Sequence, residues 1–272
     1  MIKIFVDSGS SIKQAEKEKL GVEILPLKIL LKDVEYSDGV DLSREVFYDT
    51  LIKDGVFPKT SLPSPDLIQE LVEKEKERGN EVLIITISSG ISGTYSAIKS
   101  MFSNDEKVRV VDSKTAVGGI RILVMEARKY LDRSLDFVEE KLQNLIPRIR
   151  ALAVPETLDY LHKGGRLSRA SWAVGTLLKI KPIVELKDKV GVAHKAIGLK
   201  SAMKQLLLAL NHADLDYPIV PSYTYENDNL NALVEKAEDK YKKVMTKQDD
   251  LDHAIACHWG PRAFGFVFVE KN

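Results

Sequence analysis

The fold is decided by residues 81–95, which have the sequence EVLIITISSGISGTY. The first seven of them, Glu81–Ile87, form an apolar run rich in aliphatic residues, which is typical of a strand buried inside a parallel sheet. The following Ser88–Tyr95 is rich in glycine and serine and leads into a helical pattern. A buried strand, a tight turn and a helix in this order predict a βαβ unit.

Further strands and helices surround this unit. We predict strands at Ile2–Val6, Lys107–Val111 and Arg150–Val154, and an antiparallel edge hairpin within Leu27–Tyr36. Helical patterns are found at Ser43–Lys53, Pro65–Arg78, Ser92–Phe102 and Ala116–Leu131. The alternation predicts an α/β fold whose N-terminal domain, residues 1–155, is a mostly parallel α/β/α domain.

The pattern changes after residue 155. We predict paired strands at Ile180–Leu186 and Val190–His194, and two final strands at His253–His258 and Phe264–Val269. Strands joined by hairpins, with helices on one face, predict a C-terminal α+β domain over residues 156–272. Since no proline- or glycine-rich linker separates the two domains, we expect them to pack closely around a cleft.

Composition and charge narrow the class of protein. The 272 residues include 40 Lys plus Arg and 40 Asp plus Glu, so the net charge is zero and no basic stripe favours nucleic-acid binding. The one cysteine, Cys257, excludes an internal disulfide and fits a reducing compartment. Without a signal peptide or an apolar run of about 20 residues, we expect a soluble, cytoplasmic protein.

The loop Ser88–Tyr95 is the first candidate site. It follows a parallel strand and precedes a helix, so its backbone N–H groups and the helix dipole favour an anion. It has no lysine after its glycines and is therefore not a phosphate-binding P-loop. Ser92 has an alternative, purely structural role as the cap of the helix.

A second pair of hydroxyls precedes the next helix start upstream. Ser64 followed by Pro65 is a strong helix start, which gives both residues a structural role. Thr60 and Ser61 lie before it in an extended segment, where their hydroxyls are free to face a ligand.

The C-terminal sequence around His258 is the third candidate. A lone histidine is more often structural, but Gly260-Pro261 after it marks a tight turn that favours function. Because adjacent strand residues point to opposite faces, Cys257 and His258 are not expected to form a catalytic pair. The five histidines are scattered, and we expect no metal site.

Six motifs together resemble the DegV family, the fatty-acid-binding proteins that serve bacterial fatty-acid kinases. Their order along the chain matches the family from end to end. They are Asp7-Ser8, Thr60–Ser64, Ser88–Tyr95, Val111–Lys114, Leu158–Ser168 and Lys179–Ile183.

The resemblance implies a two-domain fold with a lipid tunnel between the domains and a bound long-chain fatty acid of about C14 to C18, palmitate being one. It implies no catalytic residue, no cofactor and no metal. By this likeness Thr60 and Ser92 donate hydrogen bonds to the carboxylate, and His258 lies beside it. The implied lipid-binding residues are Thr60, Ser61, Ser92, Gly93, Thr94 and His258.

Physical chemistry supports such a head-group site. A buried carboxylate must be hydrogen-bonded or protonated, because leaving it unpaired costs several kcal/mol. Two hydroxyls, helix N–H groups and one imidazole can satisfy it without a fixed cation. Histidine is suited to this role, since its charge adjusts near neutral pH.

The resemblance also implies partners. They are a separate fatty-acid kinase, similar to dihydroxyacetone kinases, and transiently a membrane surface, but no nucleic acid. The chain departs from the family in two places. Arg262 replaces the second glycine of the family's Gly-Pro-Gly turn and would bring a cation near the head group, and the basic stretch at His194, Lys195 and Lys200 is thin. Arg166 and Arg169, surface cations by sequence alone, are further candidates for partner or head-group contacts.

Two other functions stay open at this point. One is a serine-dependent lipid hydrolase or acyltransferase with Ser92 as nucleophile and His258 as base, for which the sequence offers no obvious acid to orient the histidine. The other is a module that binds a different small molecule or a protein in the same cleft.

Overall fold

The structure is a computed structural model that describes residues 1–175, 179–226, 228–242, 245–246 and 249–272. The strands are β1 (Ile2–Asp7), β2 (Val22–Leu25), β3 (Lys28–Leu31), β4 (Val34–Ser37), β5 (Lys59–Ser61), β6 (Glu81–Thr86), β7 (Val108–Asp112), β8 (Ile149–Val154), β9 (Ile180–Lys187), β10 (Lys189–Ile197), β11 (Val220–Tyr223), β12 (Asp249–Asp250) and β13 (Phe264–Val269). The helices are α1 (Lys17–Leu20), α2 (Arg44–Ile52), α3 (Pro65–Glu77), α4 (Thr94–Met101), α5 (Gly118–Ala127), α6 (Leu135–Leu145), α7 (Asp159–Lys163), α8 (Arg169–Gly175), α9 (Leu199–Ala209), α10 (Asp228–Tyr241) and α11 (His253–Trp259).

The N-terminal part is built on a parallel sheet with strand order β2-β1-β6-β7. The central strand β6 buries both faces, as its apolar run predicts. Val82 and Ile84 pack on the α3 and α4 side, whereas Leu83 and Ile85 pack on the α5 side. The predicted mixed α/β fold with a parallel sheet is confirmed.

The C-terminal part is built on a mixed sheet with strand order β10-β9-β8-β13-β11-β12. We expected β8 in the parallel sheet, but it pairs antiparallel with β9 and β13 instead. Helices α9 and α10 cover one face of this sheet, and α5 covers the other. Residues 149–154 therefore belong to the C-terminal sheet, and the division of the chain at residue 155 stays a prediction.

The predicted hairpin within Leu27–Tyr36 is present as β3 and β4. Its two turn residues, Lys32 and Asp33, both have positive φ, 49° and 62°, as a tight two-residue hairpin turn requires. The hairpin does not extend the parallel sheet, however. It forms a small separate sheet with strand order β4-β3-β5, in which Ile29 is paired with Thr60.

The predicted strand His253–His258 is wrong, because these residues form helix α11. Its middle residues, Ala254–Cys257, are all buried. Ile255 packs in the core between the two large sheets, whereas Ala254 and Cys257 pack against the small sheet. Burial on all sides removes the helical periodicity, and a short apolar run without it cannot be told from a strand.

Helix α5 lies between the two large sheets and contacts β6 on one side and β8, β11 and β13 on the other. It is buried nearly all round, as expected for a helix whose apolar residues face every direction. At its first residue, Gly118, a Cβ atom would lie 2.7 Å from Val220 Cγ1. The absence of a side chain at Gly118 thus allows the mixed sheet to pack closely against α5. In the part of the chain that the structure describes, no helix combines the length and the apolarity needed to cross a bilayer.

We expect Gly118→Ala to lower the free energy of unfolding by about 1 to 3 kcal/mol, because the added methyl group overpacks the contact with Val220. Urea denaturation measures the loss. Gly191→Ala on β10 is the matched control, since no atom lies within 4 Å of its added Cβ. The double variant Gly118→Ala, Val220→Ala should lose less than the sum of the single losses. Equal losses for Gly118→Ala and Gly191→Ala would contradict this view of the core.

Candidate functional site

The loop after β6 is held in shape by one carboxylate on each side. Asp7, at the end of β1, accepts from the N–H of Ile87 at 2.7 Å, and Asp112, at the end of β7, accepts from the N–H of Ser89 at 3.1 Å. Burial raises the pKa of Asp7 to about 7, against the lowering effect of its backbone hydrogen bonds. The motifs that contain Asp7 and Asp112 therefore have a structural role, which is to hold the glycine- and serine-rich loop in place.

The loop itself uses several N–H groups that we expected to be free. Those of Ile91 and Ser92 both donate to the carbonyl of Ser88 at 3.1 Å. Helix α4 begins at Thr94 with Gly93 as its N-cap, so Ser92 is not the cap residue. The Ser92 hydroxyl nevertheless accepts from the N–H of Thr94, the first residue of α4, at 3.3 Å, and it lies 2.9 Å from the Thr94 hydroxyl. Hydroxyls, more than these backbone groups, are therefore what the loop offers to a ligand.

Thr60 and His258 are 198 positions apart in the sequence but lie side by side in the structure. Thr60 Oγ1, on β5, lies 3.0 Å from His258 Nε2, on α11. Gly164, the residue after the last residue of α7, packs against the other side of the imidazole. A Cβ at this position would lie 2.2 Å from His258 Nδ1. The absence of a side chain at Gly164 thus allows the C-terminal end of α7 to pack directly on the imidazole ring of His258.

The imidazole of His258 is neutral in the ligand-free protein. Burial, and then the positive charge of Arg166, lower its pKa to about 3, so the expected change of charge near neutral pH is wrong here. Its buried Nδ1 has no hydrogen-bond partner among the described residues. Because a buried unpaired N–H is costly, we assign the proton to Nε2, which then donates to Thr60. The Thr60 hydroxyl proton is thereby left free to donate elsewhere.

These groups line one cavity, which we call the head cavity and which has a volume of about 610 Å3 with its mouth included. Among the predicted lipid-binding residues, the cavity lining includes Thr60, Ser61, Ser92, Gly93 and His258. Thr94 is fully buried and lies behind Ser92, bonded to its hydroxyl. The remaining wall is mostly apolar and includes Leu27, Ile87, Ile91, Leu161, Val190 and Ile255.

Arg166, one of the candidates for a partner or head-group contact, also lines the head cavity. Its Nε donates to the carbonyl of Ile91 at 3.0 Å, and its Nη1 donates to the carbonyl of Gly164. Burial lowers the pKa of the guanidinium, but arginine stays charged in proteins. The head cavity therefore contains a fixed cation, contrary to our expectation of a cradle without one.

The other candidate cations lie elsewhere. Arg262 forms ion pairs with Glu226 at 2.8 Å and Glu156 at 3.1 Å and does not line the head cavity, so the expected cation near the head group is wrong at this position. Its backbone is left-handed, with φ 62°, a conformation that favours glycine. Arg169 and Lys200 are exposed at the starts of α8 and α9.

A second cavity, the tail cavity, lies between the mixed sheet and the segment that precedes α5. It is lined by Ala116, Val117, Ala151, Leu186, Ser222, Leu251, Phe264 and their apolar neighbours. Trp259 lines both cavities. The wall of the head cavity combines polar and apolar side chains, whereas the wall of the tail cavity is almost wholly apolar. Sequence reasoning missed Trp259, although it adjoins His258 in the same motif.

Features of a catalytic centre are absent from this part of the described structure. Cys257 is buried in the core beneath the small sheet, and burial raises the pKa of its thiol. This burial, rather than the predicted strand geometry, separates it from His258. No carboxylate orients Nδ1 of His258 among the described residues, and no cluster of His, Cys, Asp and Glu within them is arranged to hold a metal ion. The head cavity thus contains hydrogen-bond donors and one cation, and the neighbouring tail cavity is apolar.

Comparison with known proteins places this architecture in a family. The family model described as "Uncharacterised protein, DegV family" matches residues 1–271. A DegV domain-containing protein of Clostridium acetobutylicum is 32% identical over 283 residues, covering 99% of each chain. A stearic-acid-binding protein from Eubacterium ventriosum has a TM-score of 0.87 at 25% identity, covering 100% of this chain and 99% of its own. A fatty-acid-binding DegV family protein from Thermus thermophilus has a TM-score of 0.86 at 29% identity, covering 99% of each chain. With its full length matched by the family model and by these relatives, the chain belongs to the DegV family.

Proposed function

We propose that this protein binds one long-chain fatty acid of about 14 to 18 carbons and presents its carboxylate to a separate fatty-acid kinase. The observation that carries the proposal is that two cavities of different character share Trp259 in their linings. One cavity has the donors that a carboxylate needs, and the other has the apolar wall that an acyl chain needs. The relatives from Eubacterium ventriosum and Thermus thermophilus are described as fatty-acid-binding proteins, which supports this ligand class.

In this proposal three side chains hold the head group, two through a hydroxyl and one through a guanidinium. The Thr60 hydroxyl is oriented by His258, which donates to its oxygen and leaves its proton for the carboxylate. The Ser92 hydroxyl lies beside the start of α4, and Arg166 supplies the opposite charge. Charge-assisted hydrogen bonds are about twice as strong as neutral ones, so Arg166 offsets much of the cost of desolvating the carboxylate.

The tail supplies most of the affinity. At ~0.8 kcal/mol per buried CH₂, a C16 chain gains on the order of 11 kcal/mol before association costs are subtracted. A chain that passes Trp259 would exchange water for the apolar side chains of the tail cavity.

A carrier role is favoured over the alternative of a hydrolase or acyltransferase using Ser92 and His258. His258 Nε2 faces Thr60 rather than serving Ser92, whose hydroxyl is bonded to Thr94. Its Nδ1 lacks the carboxylate partner that orients the base in serine hydrolases. We propose no cofactor and no catalytic residue for this chain, and we infer that the kinase supplies the ATP-using chemistry.

The kinase is proposed to dock on the basic surface formed by Arg169, His194, Lys195 and Lys200. All four side chains are exposed, and α8 and β10 border one surface depression that includes His194 and Lys195. The mouth of the head cavity lies at the exposed Ser61 and Gly93. We propose that a membrane surface is a transient partner that delivers the fatty acid and that the carrier acts in the cytoplasm, where the lone Cys257 stays reduced.

The purified protein should contain close to one equivalent of a C14 to C18 fatty acid. Denaturing extraction and mass spectrometry measure it. Protein freed of lipid should take up palmitate or oleate with the same stoichiometry. Failure to recover a lipid, together with no uptake of either acid, would refute the proposed ligand class.

Thr60→Ala and Ser92→Ala should each weaken palmitate binding by about 1 to 3 kcal/mol, because each leaves the buried carboxylate short of one donor. Calorimetric titration measures the effect, and Ser96→Ala, an exposed serine in α4, is the matched control. His258→Gln, which keeps a donor for Thr60, should bind palmitate better than His258→Phe, which has none. If both alanine variants bind like the parent protein, the carboxylate is held elsewhere.

The protein with palmitate and ATP alone should form no acyl phosphate, and addition of the cognate kinase should yield it. Lys200→Glu should slow the kinase step while palmitate binding is unchanged, because Lys200 lies outside both cavity linings. Lys19→Glu, the same charge change at an exposed position on α1, is the control. Acyl phosphate formed without kinase would make the chain an enzyme, and a normal rate with Lys200→Glu would move the docking surface elsewhere.

A further inference from the structure

The tail cavity contains one polar side chain without a partner. Ser222 is 6% exposed, its Oγ is buried, and no hydrogen bond to this atom is found among the described residues. Nearly all buried polar groups in proteins are hydrogen-bonded, and a buried hydroxyl left unpaired costs about 1 to 3 kcal/mol. The surrounding side chains of the cavity are apolar. A partner for Ser222 must therefore come from whatever fills the cavity.

The strand geometry directs Ser222 into this space. Val220 lies against Gly118 of α5, and residues two apart on a strand share a face, so Ser222 also faces the α5 side. Its cross-strand partner on β13 is Gly265, which has no side chain to cover the hydroxyl. The hydroxyl thus lies in the wall of the tail cavity, and none of the described residues gives it a hydrogen bond.

The wall of the same cavity contains a strained residue. Val117 has φ 47°, a left-handed backbone that a β-branched side chain rarely adopts, and it is held there by the bond from its N–H to the carbonyl of Gly9 at 2.7 Å. Such strain is concentrated at ligand sites, where the surrounding structure maintains it. The strain at Val117 and the unpartnered hydroxyl of Ser222 are independent observations on one cavity.

We propose that Ser222 recognises an oxygen substituent on the acyl chain, so that the preferred ligand class is a fatty acid hydroxylated in the part that passes beyond Trp259. This inference rests on the proposed fatty-acid binding. A hydroxyl on the chain can both accept from and donate to Ser222 Oγ, which satisfies the two groups together. An unsubstituted chain offers only C–H groups to this serine and leaves it unpaired.

The position of the substituent follows from the order of the cavities. Carbons next to the carboxylate lie in the head cavity, before Trp259, and a hydroxyl on them cannot meet Ser222. Stearate is therefore compared with 10-hydroxystearate and 12-hydroxystearate, and 2-hydroxystearate is the positional control. Dissociation constants are measured for the full-length parent protein and for Ser222→Ala, which removes only the hydroxyl.

The parent protein should bind at least one of the two mid-chain hydroxy acids about 2- to 10-fold tighter than stearate, the range that one net hydrogen bond provides. Ser222→Ala should lose this preference and should bind stearate at least as tightly as the parent does. The affinity for 2-hydroxystearate relative to stearate should be the same in both proteins. Ser222→Thr, which restores a hydroxyl, should recover part of the preference.

Two results would overturn the inference while leaving the proposed function intact. The first is a parent protein that binds stearate as tightly as, or tighter than, both mid-chain hydroxy acids, in which case a water molecule is the partner of Ser222. The second is a preference for hydroxy acids that persists in Ser222→Ala. Absence of binding of every fatty acid by both proteins would instead refute the proposed function itself.

Discussion

The packing of one helix between two sheets is the constraint on which the rest of the structure depends. Helix α5 shares its apolar side chains with the parallel sheet on one side and the mixed sheet on the other, and the bare backbone of Gly118 sets their separation. Because the chain enters α5 through Ala116 and Val117, the same contact shapes one wall of the tail cavity. The shape of the tail cavity thus depends on how the two sheets are joined.

Much of the site was predictable because its causes are local. A buried apolar strand followed by Ser88–Tyr95 specifies a strand, a turn and a helix without reference to distant residues. The extended segment with Thr60 was recognisable from the helix start at Ser64-Pro65 that follows it. Both segments line the head cavity. His258 was a candidate because of the tight turn at Gly260-Pro261 that follows it, but no local pattern could show that it lies beside Thr60.

The predictions that were wrong or incomplete concern residues whose structure depends on tertiary packing. Helix α11 is buried on several sides, so Ala254–Cys257 lack the periodicity that distinguishes a helix from a strand. For Arg166 the sequence left both a surface position and a head-group contact open, and the packing of the loop before α8 decides that it lines the head cavity. Arg262 adopts a glycine-like backbone and is drawn outward by Glu156 and Glu226. None of these outcomes is encoded in a short window of sequence.

The tail cavity is bordered by residues that also belong to the central core, including Val117, Ala151 and Leu186. An acyl chain lodged there would become part of that core, so the loaded carrier would be the more stable form. In a cell, unfolded proteins are continuously removed by proteases, and small differences in stability change abundance severalfold. The amount of carrier would then rise and fall with the supply of fatty acid, without any transcriptional control.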